Sequence, residues 1–202
     1  LVLINGTNFI DGVNSSVVGY YILVVLSILF LSKIYTLNIN QDLFIKLLIV
    51  LSVLYLCNIF GIIFLGDSGS YLLSYIVGLS LIDFYNNNPI VSPYYLVCLL
   101  WYPAYENLFS IIRKFITKKS PSKADNHHLH HYIYTFISKY IKKTILCNSA
   151  TGLVICLYNI IFFISIFNSY SFTSTLIIYL LINILIYNIL FLYLKKNLIN
   201  KK

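Results

Sequence analysis

Residues 146–167 read LCNSATGLVICLYNIIFFISIF, 22 consecutive residues without a charged side chain. About 20 mostly apolar residues in helical conformation cross the hydrocarbon of a bilayer, so this stretch alone argues that lipid is the solvent of the protein. It resists a β-barrel reading, because barrel strands alternate in polarity and last only about ten residues. Working outward, apolar runs also occupy 17–32, 43–65, 71–85, 94–112 and 172–194. Turn chemistry separates them: Asn38-Ile39-Asn40, Gly66-Asp67-Ser68-Gly69, Asn86-Asn87-Asn88-Pro89 and Asn168-Ser169. The runs 17–32 and 71–85 are short for a crossing and are expected to extend into flanking residues. The expected fold class is all-α: a polytopic integral membrane protein with about six transmembrane helices and a cytoplasmic His-rich loop. Residues 1–202 are read as a single membrane domain, with 113–145 the loop and its amphipathic helix.

Composition agrees. Hydrophobic residues are 59% of the chain and charged residues 10%, with mean hydropathy +0.85, against roughly 25% charged in ordinary globular proteins. Too few polar side chains remain to cover a water-facing surface, and disorder, which needs low hydrophobicity, is excluded. The formal charge is +8, from 14 Lys and Arg against 6 Asp and Glu, and twelve of those cations fall in 113–143 and 195–202. Cations gathered in loops beside apolar spans follow the positive-inside pattern, and no nucleic acid partner is expected. With six spans the pattern puts 5–16, 66–70, 113–143 and the C-terminus on the cytoplasmic side. The four cysteines lie in or beside apolar runs without C-x-x-C spacing, as small apolar fillers do. The chain has no methionine and starts in mid-run at Leu1-Val2-Leu3-Ile4, which reads as the C-terminal part of a longer protein.

With so few acids, each can be questioned, since acids near lipid depth point to function. Asp11, Asp67, Glu106 and Asp125 map to the cytoplasmic face or just inside it. Asn5, Asn8 and Asp11 are three apart, a polar stripe if helical, and offer the hard oxygens and amide donors that Mg²⁺ or a nucleotide needs; a polar cap at a helix start would use the same residues. Gly66-Asp67-Ser68-Gly69-Ser70 lets backbone approach a ligand closely and puts a carboxylate at the start of a helix, where free N–H groups favour phosphate; a plain turn between spans reads the same way. All four histidines lie in Asn126-His127-His128-Leu129-His130-His131. Without nearby cysteine, and with neighbours that cannot all reach one tetrahedral ion, they suit phosphate or sugar contact better than zinc, aided by Arg113, Lys118, Lys119 and Lys123. Beyond them Ile133, Phe136, Ile137, Tyr140 and Ile141 recur at helical spacing opposite Lys139, Lys142 and Lys143, an amphipathic helix expected to lie in the interface facing lipid.

Taken in order, these motifs resemble the polyprenyl-phosphate N-acetylhexosamine-1-phosphate transferases. The family pattern N-x-x-N-x-x-D-G-x-[DN]-G matches Asn5, Asn8, Asp11, Gly12 and Asn14; G-D-x-G-S matches Gly66, Asp67, Gly69 and Ser70. An Arg…S-P-x-x-x-D-x-x-H-[LI]-H-H loop matches Arg113, Ser120, Pro121, Asp125, His128, Leu129, His130 and His131, and Pro103 and Glu106 resemble the proline and acid before that loop. Ser15 stands where the pattern has glycine, and Glu106 where aspartate is commoner. The resemblance, which runs from residue 5 to about 131, implies transfer of an N-acetylhexosamine 1-phosphate from a UDP-sugar to undecaprenyl or another polyprenyl phosphate, with release of UMP. It implies catalytic roles for Asp11, Asp67 and His128, substrate binding by Asn5, Asn8, Asn14, Arg113, His130 and His131, and a Mg²⁺ ion, with Mn²⁺ as the alternative, on Asp67 and Asn8. It also implies a multi-pass protein of the bacterial inner membrane with its active face cytoplasmic. A homodimer is left open. The family's paired aspartates, expected upstream of residue 1, are absent, so residues 1–202 alone are expected to be inactive. A transporter-type protein with an ion path is the contrasting reading, but such a path should place acids in mid-span.

Overall fold

The computed structural model describes residues 1–118 and 128–199, and the side chains as far as residue 197. The described residues form nine α-helices: α1 (Val2–Ile10), α2 (Ser16–Tyr35), α3 (Gln41–Ile59), α4 (Gly66–Asn86), α5 (Pro93–Leu99), α6 (Trp101–Ile116), α7 (Leu129–Ile137), α8 (Thr144–Ile166) and α9 (Thr173–Ile199), with a 3₁₀ turn Phe167–Ser169 before the last. Four of them, α2, α3, α8 and α9, are long and apolar enough to cross a membrane.

The remaining two expected crossings look different. The 71–85 run belongs to a 21-residue helix, α4, whose four serines and three glycines dilute its apolar face. The expected single span 94–112 is two helices that meet at Leu100. Pro103 is the cause, because it has no N–H to give the carbonyl four residues back, which is Leu99. That carbonyl instead accepts a hydrogen bond from the Tyr20 hydroxyl at 2.7 Å, and the same hydroxyl accepts one from the Tyr102 N–H at 3.4 Å. A side chain of α2 thus satisfies the backbone groups that the break releases, as lipid-embedded backbone requires.

Two other boundaries moved. The run 43–65 stays helical only to Ile59; Gly61 then adopts φ +68° and the Asn58 carboxamide donates to the Ile63 carbonyl, turning the chain back. The amphipathic helix starts earlier and stops earlier than its periodicity suggested, so Lys139, Lys142 and Lys143 lie beyond it. Its Ile133 is buried against protein rather than facing lipid, whereas Phe136 and Tyr140 are exposed.

The helices assemble as α1 on α4 and α6, α2 on α3 and α8, and α7 on α8 and α9. The middle of the bundle is aromatic: Tyr20, Tyr21, Tyr95, Tyr102 and Tyr187 are fully buried, and Trp101 meets the rings of Tyr158, Phe162 and Tyr187 edge-on. Carboxamides pair helices across this core, with Trp101 Nε1 donating to Asn159 at 2.9 Å and the Tyr158 hydroxyl to Asn183 at 2.8 Å. The outer faces of α3 and α9 expose Ile49, Val53, Leu56, Ile178, Leu181, Leu185 and Ile189, apolar side chains that suit lipid contact. Cys98, Cys147 and Cys156 are buried free thiols.

Candidate functional site

Helix α1 ends at Ile10, so the stripe Asn5, Asn8, Asp11 is not carried on one helix; Asp11 lies just past its end, where the chain turns into α2. Ser15 holds that turn with φ +64°. This left-handed conformation favours glycine, which is what the family pattern carries there. Here the serine is held by polar contacts instead: its N–H donates to Asn58 Oδ1, and its hydroxyl to the carbonyls of Asn14 and Ser149. Helix α8 comes so close that a Cβ on Gly152 would collide with the Asn14 carbonyl.

The turn meets the start of α4. Gly66, at φ +63°, points its N–H at the Asp11 carboxylate. Asp67 occupies the first turn of α4 and is exposed. Asn8 reaches the same place, accepting from the Ser70 hydroxyl and donating to the Tyr71 hydroxyl, both at 3.3 Å. Burial pushes the Asp11 carboxyl up to about 7; the Gly66 N–H works against the rise and the negative charge of Asp67 adds to it. Below this turn a cavity of about 190 Å³ is lined by Asp11, Gly12, Asn14, Asn58, Phe64 and Asn148.

The histidines close the other side. His128 Nδ1 lies 3.1 Å from Glu106 Oε2, and its ring stacks on Phe9 of α1 and, nearly parallel, on His130. His130 is 1% exposed and abuts Gly12, where any Cβ would strike its ring. Neither of its ring nitrogens has a hydrogen-bond partner among the described residues. Burial, with His131 and His128 alongside, holds it well below the usual histidine range. His131 lines a second cavity, of about 220 Å³, with Gly12, Tyr134 and Asn148. Arg113 lies over the rings of Phe109 and Phe191.

Thus Asn8, Asp11, Asn14, Asp67, His128, His130 and His131 come together from α1, the turn after it, α4 and the start of α7 at one end of the bundle. Asn5 is exposed on α1. Ser120, Pro121, Lys119, Lys123, Asp125 and His127 lie outside the described residues. Sequence reasoning missed Asn58, Asn148 and Tyr187, each a polar group inside an otherwise apolar run, where its burial already asks for a partner.

The donor set suits Mg²⁺. Among the described residues no three His, Cys, Asp or Glu side chains group around one point. Mg²⁺ does not require that, since it commonly takes one or two carboxylates and completes its shell with water and substrate phosphates. Asp67 and Asn8 are linked through Ser70, whose hydroxyl meets Asn8 Oδ1 and the Asp67 carbonyl, and would supply one carboxylate and one carboxamide oxygen; the charge of Asp67 that raises the Asp11 pKa is what a divalent cation would relieve.

Two known proteins match parts of the chain. Over 75 residues, 37% of this chain, it is 35% identical to a Bacillus subtilis (strain 168) protein named probable undecaprenyl-phosphate N-acetylglucosaminyl 1-phosphate transferase. Over 84 residues, 42% of the chain, it is 34% identical to an undecaprenyl-phosphate alpha-N-acetylglucosaminyl 1-phosphate transferase of Thermotoga maritima. The matches span 21% and 27% of those relatives' own lengths. No family model matches the chain, and no solved structure does.

Proposed function

We propose that this chain, whose kinship lies with the polyprenyl-phosphate N-acetylhexosamine-1-phosphate transferases, carries the donor-binding and charge-neutralising part of a site that moves an N-acetylhexosamine 1-phosphate from a UDP-sugar to a polyprenyl phosphate and releases UMP. The observation that carries this reading is the meeting of Asn8, Asp11 and Asp67 with the histidines of α7 at one end of an apolar bundle. Phosphoryl transfer is largely positioning and neutralisation of charge on phosphate oxygens, and these residues supply both. Asp67, with Asn8, would hold Mg²⁺ or Mn²⁺, which when bound neutralises pyrophosphate charge. Asp11 and Asn14 line a polar cavity and would contact the nucleotide there. His128, His130, His131 and Arg113 would face phosphate or sugar, and the first N–H groups of α4 favour an anion. The apolar outer surface keeps the site at the membrane face, where a polyprenyl phosphate presents its head group. On the positive-inside pattern that face is the cytoplasmic side of a bacterial inner membrane, and the product would begin a cell-envelope glycan.

The test uses membranes containing the complete protein that carries this chain, UDP-N-acetylhexosamine labelled in the sugar, and Mg²⁺. Label should enter butanol-extractable lipid with release of UMP, and chelation should stop it. Asp67→Asn should lower the rate by at least about 100-fold, the scale on which one transition-state charge contact counts. Lipid labelling that Asp67→Asn leaves unchanged would remove the metal assignment; absence of labelling with every UDP-N-acetylhexosamine would remove the function.

A further inference from the structure

Glu106 is completely buried on α6 and is the meeting point of three donors. The Tyr187 hydroxyl of α9 donates to its Oε1 at 2.7 Å, the Leu129 N–H of α7 donates to the same oxygen at 3.2 Å, and His128 Nδ1 lies 3.1 Å from Oε2. A carboxylate only accepts, so a ring nitrogen facing it carries the proton. That fixes His128 as the Nδ1–H tautomer and leaves Nε2 for a ligand. Rotation of the ring is blocked as well, since it is 5% exposed between Phe9 and His130. The Leu129 contact ties the first turn of α7 to the same carboxylate. Tyr187 in turn cannot drift, because its ring is held edge-on by Trp101, Tyr105 and Phe109.

We propose that Glu106 and Tyr187 are positioning residues: Tyr187 orients the Glu106 carboxylate, and Glu106 sets the tautomer and direction of His128 so that Nε2 meets a phosphate or sugar oxygen of the donor. This rests on the function proposed above, and it brings α9, a helix outside the matching motifs, into the working of the site.

The experiment compares Glu106→Gln, Glu106→Asp, Tyr187→Phe and His128→Asn in the complete protein with two readouts. The first is the ¹⁵N spectrum of the histidine rings, which reports the protonated nitrogen without any need for turnover. The second is kcat and KM for the UDP-sugar. Wild type should carry the proton on Nδ1 of His128. Glu106→Gln preserves shape but can turn an amide N–H toward Nδ1, so the proton should move to Nε2 and kcat fall by at least about tenfold with KM changed less than about twofold, a wrong-tautomer loss of the kind known from catalytic triads. Glu106→Asp should keep the Nδ1 proton and recover much of the rate. Tyr187→Phe, which retains the ring packing and so guards against loss of folding, should lower kcat in wild type and have no further effect in His128→Asn, because residues acting as a unit are not additive. A wild-type proton on Nε2, an unchanged spectrum in Glu106→Gln, or full additivity of Tyr187→Phe with His128→Asn overturns the proposal. If the Nδ1 proton and its response to Glu106→Gln are present but no sugar phosphate is transferred, the positioning stands and the transferase reading falls.

Discussion

His130 shows how a single side chain can set the pH response of the site. Its ring is buried with no hydrogen-bond partner among the described residues, and its pKa lies well below 6.5. An unfolded chain takes up a proton as pH falls through about 6.5; the folded one does not until lower pH. The unfolded state therefore binds more protons in that window, and the stability contributed by neutral His130 is present above it and lost below it. Asp11 has the opposite sign: its raised folded pKa, about 7 against 3.8, means that its contribution is lost as pH rises between those values. Denaturation midpoints in detergent from pH 5 to 7.5 should separate the two, with His130→Gln flattening the fall at acidic pH and leaving the Asp11 trend in place. An unaltered profile in His130→Gln would show that the ring is not the neutral buried group described here.

At the scale of elements, the junction of α5 and α6 depends on one hydroxyl. Tyr20→Phe keeps the aromatic packing with Tyr102 and Phe163 but leaves the Leu99 carbonyl buried without its donor. This should cost about 1–3 kcal/mol, visible as a midpoint lower by several degrees. In a Pro103→Ala background position 103 regains an N–H, so the same change should cost much less. Equal losses in both backgrounds would mean that Pro103 is not what frees the carbonyl. The sequence also shows which parts of this architecture could be read in advance. The crossings α2, α3, α8 and α9 were legible because long apolar runs admit few other structures in lipid. The break at Leu100 was not, since hydropathy is blind to a missing N–H and Pro103 gains its meaning only once Tyr20 is seen opposite. Likewise Ile133 looked lipid-facing by periodicity, because a period fixes a face but not what covers it.

Over the whole molecule, the charge pattern and the placement of the site lead to one topological expectation. Asn8, Asp11, Asp67, His128, His130 and His131 share an end with Lys114, whose ammonium lies over Phe9, while the turn after α4 lies at the other, where Asn88 clasps the backbone of Asn38. The native thiols are a quiet background, three buried and Cys57 half-buried. With Cys57 changed to serine, a membrane-impermeant maleimide should label Asn86→Cys in intact cells and Lys139→Cys only after the membrane is opened; the reverse would invert the orientation. The site's motifs were legible as an ordered set, yet the groups that lock them, Glu106 with Tyr187 and Asn58 with Ser15, emerge only when distant helices meet. Gly12 and His130 give that meeting an evolutionary consequence. The turn after α1 touches α7 where glycine has no side chain, so 12 and 130 behave as one steric unit divided between distant parts of the gene. Relatives should never pair a larger residue at 12 with a full imidazole at 130. In the laboratory, a Gly12→Ala defect should be suppressed by shrinking residue 130 more readily than by any change nearer to 12 in the chain.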